Sequence, residues 1–202
     1  MTDMRDWIRE LASDSPAPGG GGAAALTGAC AAALGGMVAN LTYGNPKYAS
    51  VRDDMGAFAA RASELSEHMF NLIEEDREAF LPLAAAYRIP KDDPDRPSKL
   101  EFALRTAAGA PMEMLKTASA IPELLNELLA KGSRLALSDV GCASELCASC
   151  AKTAYINVLV NTGLMKDRDF AGRMEEEAES LLDEILSACD GLSASVLRTL
   201  KK

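Results

Sequence analysis

A chain of 202 residues that is 48% hydrophobic, 25% charged and only 5% aromatic can bury one sizeable core and is too apolar to be disordered. Roughly a sixth of it is alanine, the best helix former, while β-branched and aromatic residues are scarce, which argues against an all-β fold. The formal net charge of −9 argues against a nucleic-acid partner, because phosphate binding depends on basic side chains that release counterions.

The N-terminus carries Asp3 and Asp6 where a secretory signal would place basic residues and an apolar stretch, so the expected location is cytoplasmic. Residues 3–13 read as a short amphipathic helix with Trp7, Ile8 and Leu11. The run 15–22 (Ser-Pro-Ala-Pro and four glycines) is a turn-forming loop that leads into an Ala/Gly helix over 23–41. That helix has about the length of a bilayer span, but alanine contributes little to insertion and no basic flank is present. A buried helix without membrane contact is the expectation, with Gly28, Ala32 and Gly36 letting neighbouring backbones approach. Residues 42–48 break it.

A long helical pattern follows over 51–87, then a surface loop with three prolines over 89–97. Helix resumes over 98–131, with interruptions predicted near Pro111 and Pro122 and a C-terminal stop at Gly132. A further helix spans 139–162, closed by Gly163, and a last one runs from 167 to 189 or beyond. No strand-period alternation, internal repeat or long linker is present. The sum is an all-α, single-domain antiparallel helical bundle over 1–202, with a long central Ala/Gly-rich helix.

Five cysteines suit reduced, buried thiols better than a disulfide framework. Cys142, Cys147 and Cys150 have the C-x4-C-x2-C spacing of plant-type iron–sulfur proteins. The segment around them lacks Gly and Pro and reads as helix, which spreads the thiols over the surface instead of wrapping a cluster. With a single histidine, His68, neither a histidine metal site nor a Ser-His-Asp triad is expected.

Catalytic groups tend to sit where a polar residue interrupts an otherwise consistent pattern. In the 51–87 helix the apolar seam runs Met55, Phe58, Ala62, Leu65, Met69 and Leu72, then meets Asp76 before Phe80 and Leu83. A carboxyl on that face must find a partner or take up a proton, and a raised pKa is what acid–base chemistry needs. A structural aspartate tied to a backbone N–H fits the same pattern. The 139–162 helix repeats the anomaly with Asn157 and Asn161, one turn apart, suited to a polar heterocycle or to an interhelical hydrogen bond. Asp139 at its start reads first as an N-cap. Gly19–Gly22 lack the strand that a dinucleotide fingerprint needs, and offer backbone N–H groups to an anion or carbonyl, with Lys47 as a possible added charge.

Four blocks in order carry a resemblance: Ser15 to Ala25, Met37 to Gly44 with Lys47 and Tyr48, Asp76 to Phe80, and Ser138 to Gly141. Together they resemble the formiminotransferase-cyclodeaminase C-terminal domain family, which includes methenyltetrahydrofolate cyclohydrolases and formiminotetrahydrofolate cyclodeaminases. The resemblance implies an all-helical, dimer-forming domain that binds tetrahydrofolate derivatives and needs no metal or further cofactor. It implies Pro18, Gly19, Gly20, Gly21, Gly22, Tyr43 and Lys47 as substrate-binding residues, and the asparagine face read above adds Asn157 and Asn161 near the pterin. Asp76 is the expected proton shuttle and Asp139 its support. Gly22 departs from the Ser or Thr common after three glycines. The expected activity is the cyclohydrolase; the alternatives are the cyclodeaminase and a helical protein that holds folate without chemistry.

Overall fold

Small side chains decide this architecture. In the computed structural model, which describes residues 3–202, seven α-helices follow one another: α1 (Met4–Leu11), α2 (Gly20–Tyr43), α3 (Arg52–Tyr87), α4 (Arg96–Ser119), α5 (Ile121–Lys131), α6 (Leu137–Thr162) and α7 (Arg168–Leu200). Short 3-10 turns, Pro46–Val51 and Arg134–Ala136, precede α3 and α6, and there is no strand among the described residues. The molecule is an all-α single domain, as expected from the composition.

α2 is the central element and packs antiparallel between α3 and α6. It is long and apolar enough to cross a membrane by length and composition, with a mean hydropathy of 1.6 over its most apolar window, yet 61% of that window is buried within the fold. Glycine is required at one crossing: a β-carbon on Gly28 would lie 2.8 Å from Cys150 Sγ and 2.9 Å from Met69 Sδ. At Gly35, by contrast, a β-carbon would meet Leu124, Leu125 and Leu128 of α5 at 3.5–3.6 Å, an ordinary contact distance. The interhelical gaps are filled by large side chains from the neighbours, including Met55, Met69, Met114 and Leu125, each fully buried.

The main hydrophobic cluster surrounds α2. A second one, built on Leu83, Leu104, Ala108 and Met165, closes the bundle end where α3 finishes and α4 begins. Where the elements differ from expectation, tertiary packing explains it. α4 runs unbroken through Pro111, whose ring is buried, and the break falls at Ala120, with Pro122 in the first turn of α5. α7 continues to Leu200 because Ile185, Cys189, Leu192 and Val196 keep burying one face. The helix over α2 starts at Gly20, so three of the four glycines form its first turn instead of a loop.

Candidate active site at the start of the central helix

The first N–H groups of a helix have no partner within it. Gly19 caps α2 without a side chain, and the answering group comes from α3: the Asp76 carboxylate lies against the glycine turn, within the influence of the Gly22 N–H. The approach is so close that a β-carbon on Gly21 would overlap the Asp76 carboxylate. Asp76 is half-buried, and burial pushes its pKa from the ordinary 3.8 up to about 6, with the Gly22 N–H pulling in the opposite direction. The carboxyl is therefore poised to exchange a proton near neutral pH.

Asp76 faces a cavity of about 120 Å³, walled by Gly20, Gly21, Phe80, Asn157 and Asn161. The two amides are oriented by their own hydrogen bonds. Asn161 Nδ2 donates to the Ala107 carbonyl of α4 (3.3 Å) and to the Asn157 carbonyl (2.9 Å), while Asn157 Nδ2 donates to the Thr153 carbonyl (2.8 Å). Their Oδ1 atoms are left as acceptors. With Asp76 they make a lining rich in acceptor oxygens, complementary to N–H donors or to a cation. Phe80, Ala107 and Val160 supply apolar walls that sequence reasoning did not single out. Phe80 and Val160 share helical faces with Asp76 and with the asparagines and were within reach of periodicity; Ala107 arrives from α4 and carries no local signal.

The remaining predicted residues divide. Pro18 and Gly22 lie behind the glycine turn, where the Gly22 Cα faces Pro18, Trp7 and Ile73. Tyr43 and Lys47 lie at the other end of α2, about 35 Å from Gly20 at 1.5 Å per residue. Asp139 is also at that end, about 27 Å along α6 from Asn157. Within one chain it does not support Asp76, and it is not the N-cap either: Ala136 holds that position and Asp139 sits in the first turn, where its charge favours the helix dipole. In the segments leading into α3 and α6 the Tyr48 hydroxyl accepts from the Arg134 N–H at 3.1 Å, and this bond, with Ser133, Lys47 and Arg134 beside it, lowers the phenol pKa. The Arg52 guanidinium lies 4.6 Å over the Tyr43 ring.

Cys147, Cys150 and Cys189 are buried, and Cys142 and Cys30 exposed, so the C-x4-C-x2-C thiols do not converge. Burial pushes the Cys150 thiol up to about 12. His68 is exposed, with Nε2 3.5 Å from Glu113 Oε1. Among the described residues no His, Cys, Asp or Glu cluster of three or more is arranged to hold a metal ion.

An all-helical bundle with a glycine turn folded onto a titratable aspartate defines a class that comparison makes specific. The chain belongs to the formiminotransferase-cyclodeaminase family, whose sequence model matches residues 3–180. It is 36% identical over 185 residues to a methenyltetrahydrofolate cyclohydrolase of Methylorubrum extorquens, covering 90% of this chain and 89% of that protein. It is 32% identical to the formimidoyltransferase-cyclodeaminase of Mus musculus, covering 91% of this chain but only 35% of that longer protein. The fold superposes on the crystal structure of a formiminotetrahydrofolate cyclodeaminase from Thermotoga maritima with a TM-score of 0.89 and 27% identity, covering 98% of this chain and 97% of the other.

Proposed function

We propose that this chain is a folate one-carbon enzyme acting on the bridge between N5 and N10 of tetrahydrofolate, and that it is a methenyltetrahydrofolate cyclohydrolase. One observation carries the chemistry: Asp76, with its raised pKa, against the glycine turn beside the two fixed asparagine acceptors. Water adds to the cationic amidinium carbon of 5,10-methenyltetrahydrofolate, and the Asp76 carboxylate takes the proton that water loses. The carbon–N5 bond of the adduct then breaks as its hydroxyl loses its proton to solvent and becomes the formyl carbonyl, N5 receives a proton from the Asp76 carboxyl, and 10-formyltetrahydrofolate remains. The balance is methenyltetrahydrofolate cation plus water giving formyltetrahydrofolate plus a proton, so no redox cofactor enters. The acceptor-lined cavity favours the cationic substrate over the neutral product.

The cyclodeaminase of similar fold and the bifunctional relatives favour a second reading. There N10 closes on the formimino carbon, and Asp76 in its protonated form gives the proton with which ammonia leaves. Offering 5-formiminotetrahydrofolate and 5,10-methenyltetrahydrofolate in parallel and following the methenyl absorbance separates the two. Loss of the band from the second substrate faster than in buffer is expected. Appearance of the band from the first substrate alone would replace the cyclohydrolase reading by the cyclodeaminase. No change with either, despite folate binding, would leave a non-catalytic folate protein.

A homodimer belongs to the same proposal. The cavity is well below the roughly 300–1,000 Å³ typical of sites that enclose a drug-sized ligand, so one chain grips only part of a folate. Beside it Ile156 and Val160 are exposed, and α2, which carries no charged residue, exposes Cys30, Ala33, Met37 and Leu41 along its length. A second copy laid antiparallel on this face covers both patches. It also brings its own Tyr43, Lys47 and Asp139 toward Asp76 of the first, with Lys47 and Arg134 available to an anionic glutamyl tail. Five free cysteines, three of them buried, suit the reducing cytoplasm.

A further inference from the structure

A second, larger concavity lies on the other side of the glycine turn, and the chemistry above does not use it. It has a volume of about 410 Å³, within the range of small-molecule sites, and is formed between α1, Pro18 and one flank of α3. Trp7 and Ile73, each 8% exposed, form its floor together with Pro18, and Phe70 adds aromatic surface. The rim is acidic: Asp3, Asp6, Glu10 and Glu74 against a single cation, Arg77. Asp3 is engaged as the cap of α1, bonding the Arg5 N–H at 2.8 Å, and Asp6 pairs with Arg9 at 2.7 Å. Arg77 lies 3.9 Å from Glu74, a loose contact, and Glu10 has no cationic partner among the described residues.

We infer that this groove is a binding site for an organic cation with a flat or apolar body, such as an aryl-alkyl ammonium or amidinium compound. Apolar floor and carboxylate rim are the two elements that recognise such ligands: the floor removes the apolar body from water, while the carboxylates attract the positive charge and exclude anions. A polyglutamyl chain is excluded for the same reason, so the groove is not an extension of the folate site. It is nevertheless adjacent to it. Trp7, Pro18 and Ile73 are also the three side chains nearest to Gly22, next to the Gly21 position that Asp76 presses against, so an occupant rests on the back of the catalytic turn.

Trp7 is the only tryptophan in the chain, which makes its emission a local reporter. The intact protein is titrated with benzyltrimethylammonium and, separately, with benzoate, which keeps the ring and reverses the charge. The expected result is a saturable change in Trp7 emission with the ammonium compound and none with benzoate. The Glu10→Gln/Glu74→Gln double variant should bind at least about fivefold more weakly, and raising the salt should weaken binding to the wild type in the same direction. Asp76→Asn should leave the titration intact, which separates this site from the folate chemistry. Absence of a saturable change, an equal response to benzoate, or insensitivity to both salt and the double variant overturns the inference.

Discussion

The two ends of the α2–α6 pair are made from similar ingredients and are chemically unlike. At one end Asp76 is drawn onto a helix N-terminus in a half-buried cavity, and its pKa rises to about 6. At the other, Asp139 also sits at a helix N-terminus, in the first turn of α6, and is half-buried as well, while the nearby segment carries Lys47, Tyr48 and Arg134. The difference teaches that an acid at a helix start becomes a candidate catalyst when it is folded against the bare backbone of a second helix beside fixed acceptors. Glycine allows that at the first end, because no β-carbon stands between the α2 backbone and α3. The second end offers charge and hydrogen bonds, which the proposed second copy would carry across to the first.

The sharpest way to break the contrast is Asp76→Asn, which should lower kcat by about 10³-fold or more in the methenyl absorbance assay. The same variant should be more stable at pH 7 by about 2 kcal/mol in denaturant unfolding, since an amide removes a charge that the fold holds at a cost. The sign follows from the raised pKa. Between the unfolded value of 3.8 and the folded value of about 6, the native chain binds the proton more tightly, so wild-type stability falls as pH rises through that window and is level above it. Full turnover in a folded Asp76→Asn protein would remove Asp76 from the mechanism.

Gly21→Ala should cost about 10²-fold in kcat/KM by pushing the carboxylate off the glycine turn. Gly172→Ala on α7, where a β-carbon meets nothing within 4 Å, should change the rate by less than about threefold and serves as its control. Met37→Glu tests whether the two ends meet across a dimer: a charge in the uncharged α2 face should give monomers in sedimentation and lower kcat/KM by about tenfold. Monomers with unchanged kinetics would mean that each chain works alone. The cyclohydrolase rate should rise with pH around 6, as Asp76 becomes the base, and level off above about 7. Smallest of all, Asp139→Asn should cost about 0.5 kcal/mol of stability, and its kinetic effect should appear only in the dimer.

Much of the fold was readable because α-helical periodicity is local. The seam that ends in Leu72 and resumes at Phe80 identified Asp76 as out of place, and the asparagines one turn apart identified their face, without any tertiary information. Helix ends were less readable. Gly20, Gly21 and Gly22 have loop composition but complete a helical turn, because α3 and α6 approach a backbone that lacks side chains. Pro111 reads as a breaker and is carried inside α4 because packing on the surrounding helices outweighs one missing hydrogen bond. Ala107 was invisible, since an alanine in a helix gives no sign that its carbonyl orients Asn161 from another element.

By itself the sequence determined that this is an all-helical protein, which family it belongs to and which carboxyl interrupts an apolar seam, because composition, motif order and periodicity are properties of neighbouring residues. Only the tertiary structure decided which of the predicted residues share a site. It gathered Asp76, Gly20, Gly21, Asn157 and Asn161 from three helices, left Tyr43, Lys47 and Asp139 at the far end, and raised the Asp76 pKa. Those outcomes depend on how rigid helices of 24 to 36 residues lie against one another, and on how much water that arrangement excludes.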